Sequence, residues 1–122
     1  MTGRVTGFGG VFFRARDPKA LDAWYRTHLG VPMVDFWPQA KGNAVLAAFD
    51  HDTVYWPADK QWMMNFRVTD LDGLIEKLTQ TGIPVERRAD WDIPDIGRFA
   101  RIVDPEGTQI ELWEPQGSGA AE

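Results

Sequence analysis

Glu111, Arg101, Arg14, Arg67 and Asn65 are the side chains of this sequence best suited to hold or act on another molecule. Arginines present forked donors to a carboxylate, phosphate or carbonyl, and an asparagine amide both donates and accepts. For Arg14, Arg67 and Asn65, ligand recognition weighs equally against pairing with Asp or Glu at strand ends. Glu111 could serve as a general base or a residual metal ligand. A cross-strand ion pair with Arg101 fits it better, because an unpaired carboxylate in a cleft is unfavourable. The two histidines add little, since His28 falls near a helix end and His51 in a turn. With no Cys in the chain, thiolate nucleophiles, disulfides and cysteine-based zinc or iron–sulfur sites are excluded. Aromatic residues are plentiful at 12%. Phe12, Tyr55, Trp56 and Trp113 divide between core and pocket wall, Trp24 and Tyr25 belong to the core, and Trp62 and Trp91 suit lids or dimer contacts.

Bulk properties narrow the partners. The 122 residues fit one domain and suffice to bury about two-thirds of the unfolded surface. The formal net charge of −5, with Arg87-Arg88 an isolated basic pair, argues against nucleic acid, whose binding rests on phosphate neutralisation. No apolar run is long enough for a signal peptide or a membrane span, so a cytoplasmic location is expected. The stretch 116–122 reads as a flexible tail.

Two copies of one unit position these residues. Phe13 falls on Phe66, Arg14 on Arg67, Asp17 on Asp70 and Leu21 on Leu74 at a constant offset, and Gly30-Val31-Pro32 then lies over Gly82-Ile83-Pro84. Each unit opens on a strand-like run ending at Asp, a good helix N-cap. Apolar residues recur at helical spacing, and a Gly then stops the helix. Further strands are expected near 33–37, 44–49 and 53–56 in the first unit, and near 85–88, 97–103 and 108–114 in the second. The order is β-α-β-β-β, twice, with module one about 7–57 and module two about 62–115.

Period-two alternation places Val11, Phe13 and Ala15 under the first helix, and Met64, Phe66 and Val68 under the second. The opposite face then carries Gly10, Phe12 and Arg14, and Met63, Asn65 and Arg67. A face meant only for core would rarely place Arg and Asn at corresponding positions. Asp104-Pro105-Glu106-Gly107 fits a type I turn with a Gly bulge, which sets Asp104 opposite Thr108, Arg101 opposite Glu111 and Phe99 opposite Trp113.

The repeat, together with Phe-Arg-Ala-Arg-Asp-Pro (13–18), Trp-Tyr-Arg-Thr-His-Leu-Gly (24–30), Asn-Phe-Arg-Val-Thr-Asp-Leu-Asp (65–72) and the close at 104–113, resembles the vicinal oxygen chelate superfamily. That group includes glyoxalase I, bleomycin resistance proteins and extradiol dioxygenases. The resemblance implies an α+β fold of two tandem modules forming a curved, mostly antiparallel eight-stranded sheet with helices outside. Its metal enzymes hold a divalent ion with His, Gln or Glu from the first strand and a late strand of each module. Here those positions are Gly10, Met63, Glu111 and either Tyr55 or Trp56, of which only Glu111 is a plausible ligand.

The expectation is therefore a metal-independent small-molecule binding protein, with no cofactor and an aromatic or anionic ligand in the sheet's cleft. The proposed lining is Phe12, Arg14, Tyr55, Trp56, Asn65, Arg67, Phe99, Arg101, Glu111 and Trp113. The resemblance also implies a homodimer, with the modules pairing within one chain or exchanging between chains. A lyase or isomerase using Glu111 and a non-standard metal site is the second reading. An interaction module, with the sheet face covered by a partner chain, is the third.

Overall fold

The structure is a computed structural model and describes residues 2–120, so the final two positions of the expected tail lie outside the described residues. Two helices back one small sheet. Helix α1 spans Pro18–Leu29. Asp17 caps it by accepting from the Ala20 amide at 3.1 Å, and Pro18 sits where no helical amide bond is needed. Gly30 ends it in the left-handed conformation (φ 66°). Helix α2 spans Leu71–Gln80, capped by Asp70, which accepts from the Gly73 amide at 3.2 Å.

Three strands follow the expected pattern: β1 (Met64–Arg67), β2 (Gly97–Val103) and β3 (Gln109–Pro115). Their spatial order is β1-β3-β2, with β1 parallel and β2 antiparallel to the central β3. The hairpin register matches the sequence reading, with Arg101 opposite Glu111 and Phe99 opposite Trp113. At its turn the Asp104 amide donates to the Thr108 carbonyl at 2.9 Å, and Gly107 takes φ 88°. Ala100, Ile102, Ile110 and Leu112 point to the helices and form the core with Leu21, Tyr25, Val31, Leu71 and Leu78. Met64, Phe66, Val68, Phe13 and Ala15 pack against it, but Val11 does not and is largely exposed.

The eight-stranded sheet is not formed within this chain: among the described residues the sheet has three strands, all from the second half. The opening run of the first unit and the strands expected at 33–37, 44–49 and 53–56 have turns, bends or no regular secondary structure, without ladder partners among the described residues. The segment 85–88 contributes only a bridge from Glu86 to Arg101. The physical reason is pairing: a strand must satisfy its amides on a neighbour, and among the described residues the first-half segments are laddered to none. Within the expected tail, Gly117–Ala120 form a short 3-10 turn against Asp95, whose carboxylate accepts from the Ser118 amide at 2.9 Å.

Candidate functional site

Alternation along the strands sends Asn65 and Arg67 of β1, Phe99 and Arg101 of β2, and Gln109, Glu111 and Trp113 of β3 to the face away from the helices. At its centre, Glu111 Oε1 accepts from Asn65 Nδ2 at 2.8 Å, the parallel register partner. Glu111 Oε2 accepts from the Tyr55 hydroxyl at 2.5 Å. Burial raises the pKa of this phenol, and the Glu111 carboxylate raises it further, so Tyr55 stays a neutral donor.

Arg101 does not pair with Glu111 as the opposed register suggested. Its Nε donates to Glu86 at 2.6 Å, and its Nη1 donates to the Tyr55 carbonyl at 3.1 Å. The bridge between Glu86 and Arg101 brings that carboxylate alongside, which sequence spacing alone could not reveal. The guanidinium lies 4.7 Å from the Trp91 ring centroid and 5.5 Å from that of Tyr55. Gln109 Nε2 donates to the same Tyr55 carbonyl at 3.0 Å.

The other expected residues scatter. Phe99 and Trp113 stack, with centroids 6.3 Å apart and planes 4° off parallel, but both are buried and act as the floor of this face. Trp56 donates its indole N–H to the Lys60 carbonyl. Arg67 donates to the Ala40 carbonyl at 2.9 Å instead of to a strand-end carboxylate. Phe12 is 92% exposed, and Arg14 is exposed as well, away from the Glu111 cluster's contacts. Four residues beyond the expected set join the cluster: Gln109, Glu86, Trp91 and Phe49, whose ring stacks on Tyr55 at 6.3 Å. Gln109 lies two positions before Glu111 and was legible from alternation; the others depend on long-range packing.

Two grooves open beside this cluster. One, of about 430 Å³, runs along residues 53–58 with Arg101 and Gln109. The other, of about 420 Å³, lies between 84–86 and 101–103 and shares the same two side chains. Both are of the size that small ligands occupy.

The family's divalent-metal positions do not fit a hard cation. Gly10 has no side chain, Met63 offers a thioether that accepts from Gln109, and Glu111 is bonded to two neutral donors. Among the described residues, no three His, Asp or Glu side chains come together as ligands. No described helix is long and apolar enough to cross a membrane.

No curated protein matches the chain. A solved structure, TnmS3, an antibiotic binding protein from Streptomyces sp. CB03234, is similar with a TM-score of 0.55 at 21% identity. The match covers 82% of this chain and 88% of that one, so the shared path extends beyond the paired sheet into the first half. The family model for the Glyoxalase/Bleomycin resistance protein/Dioxygenase superfamily matches residues 7–112, and the chain belongs to that superfamily.

Proposed function

We propose that this protein binds a small organic molecule, without a metal, on the sheet face that carries Glu111. The observation that carries this reading is the combination, on one open face, of aromatic rings with the hydrogen-bonded Glu111–Tyr55–Asn65 group. Such a surface offers flat apolar contact plus a few directed polar groups, the usual composition of a ligand site. The similarity to an antibiotic binding protein supports the same class of ligand. Thermal-shift and calorimetric titration against planar aromatic compounds should raise the melting temperature and give saturable heats. No response across such a panel overturns the reading.

The reading includes a single domain of two modules, about 7–57 and 62–115, acting as a homodimer in the cytoplasm. Surface area supports the dimer. A folded monomer of this mass exposes about 6,600 Å², whereas this chain exposes 9073 Å². The excess, about 2,400 Å² per chain, is what large obligate dimers bury. The exposed surface carries large apolar side chains, including Phe36 at 100% and Val54 at 96% exposure. Sedimentation should give twice the chain mass.

A lyase or isomerase of the vicinal oxygen chelate type is the second reading, favoured by a Glu111 carboxylate that faces neutral donors and not a cation. Stoichiometric Zn, Ni, Mn or Fe in protein purified without added metal would select it.

A further inference from the structure

The strap formed by residues 49–58 has no regular secondary structure, yet Tyr55 within it is held at both ends. Its carbonyl accepts from Arg101 and Gln109, and its hydroxyl donates to Glu111. Its ring is enclosed as well. Phe49 stacks with it at an interplanar angle of 23°, Trp91 meets it edge-on at 77°, and the Arg101 guanidinium lies 5.5 Å from its centroid. This is how a protein grips a phenol: rings on its sides, a cation near its π face, and a carboxylate on its hydroxyl.

Other side chains of the strap face outward. Phe49 is 52% exposed and Val54 almost wholly so, and neither belongs to the core. Arg101 and Gln109, which hold the Tyr55 carbonyl, also line both neighbouring grooves. The Tyr55 carbonyl is therefore a shared partner of the two side chains that border both grooves, while Arg101 keeps a second partner in Glu86 and Gln109 one in Met63.

Resting on the small-molecule reading above, we infer that this cage is a phenol site occupied by the protein's own Tyr55, and that the ligand is a planar aromatic bearing a hydroxyl that replaces Tyr55 on Glu111. The chemistry decides against charged alternatives. An anionic ring would face the Glu111 carboxylate, and a cationic ring would face the Arg101 guanidinium; like charges repel in both cases. A neutral hydroxyl satisfies both neighbours.

The test is quenching of tryptophan fluorescence by naphthol, methoxynaphthalene and naphthalenesulfonate, with wild type, Tyr55→Phe and Glu111→Gln. Naphthol should bind wild type about tenfold more tightly than its methyl ether, the discrimination expected of one hydrogen bond to a charged acceptor. The sulfonate should bind more weakly than either. Tyr55→Phe removes the internal competitor and should strengthen naphthol binding by about tenfold. Glu111→Gln should bring naphthol and the ether to within about twofold. Saturating naphthol should also speed amide exchange across 49–58. Equal affinities for naphthol and ether, or weaker naphthol binding to Tyr55→Phe, overturn the phenol assignment while leaving the small-molecule reading intact. Failure of all three compounds to bind any of the proteins overturns both.

Discussion

Residues 11–56 and 63–113 carry the same succession of strand-like and helical segments, but their apolar side chains meet opposite fates. In the second half Leu71, Leu78, Ile110 and Leu112 are fully buried. In the first, the buried core residues come from the helix and its end, Leu21, Tyr25 and Val31, with Phe13 and Ala15 packed against them, while Phe36 and Leu46 face outward. Both helices cap and stop as their sequences dictate, because a cap is satisfied by residues a few positions away. Strands are different. β3 forms because β1 and β2 lie on either side of it, whereas the first-half segments have no ladder partner among the described residues. Local signals complete a helix; a strand needs a neighbour.

Four experiments can break or sharpen this contrast. The largest effect is expected in the paired half: Leu112→Ala should lower stability by about 2–5 kcal/mol in denaturant unfolding, by deleting buried side-chain volume. Next is the link between halves. The Asp104 carboxylate accepts from Tyr25 Oη at 2.7 Å and from the Glu106 and Thr108 amides, so Asp104→Ala leaves three donors unmet. It should cost about 2–3 kcal/mol and free α1 first, visible as faster amide exchange in 18–29.

A smaller effect comes from acid. Glu106 accepts from the Arg16 and Asp17 amides at 3.0 Å each, and these bonds hold its pKa below the ordinary 4.5. A carboxyl with a lowered folded-state pKa stabilises fully above its unfolded value and loses that contribution as pH falls through the folded one. Fluorescence-monitored acid titration should therefore show α1 loosening below pH 4.5, before the sheet. Glu106→Gln should remove that early step. The smallest effect belongs to the unpaired half. Phe36→Ser should change the stability of protein diluted to monomer by no more than about 0.5 kcal/mol. The same substitution should shift the sedimentation equilibrium towards monomer, which separates an assembly surface from an idle one.

Much of this was legible because it is local. Asp17, Asp70 and Gly30 gave the helix limits, the turn at 104–107 gave the hairpin register, and alternation gave the face that bears Asn65 and Glu111. The partner of Arg101 was not legible. Register sets Glu111 opposite it, but Glu86 arrives through a segment whose path depends on packing. The contacts of Trp91 with Arg101 and of Phe49 with Tyr55 escaped for the same reason, since packing sets both. The absent first-half strands reflect pairing partners that periodicity cannot count.

The contacts joining the turn after β2 to α1 span 79 residues for Tyr25–Asp104 and 90 for Arg16–Glu106. Such distant ends meet late, since closing a long loop is entropically costly and the local hairpin precedes it. These bonds should therefore be absent from the rate-limiting barrier of folding. Tyr25→Phe in stopped-flow experiments should leave the folding rate nearly unchanged and accelerate unfolding. The turn would then act as a latch on the native state's lifetime, with little influence on how fast that state is reached.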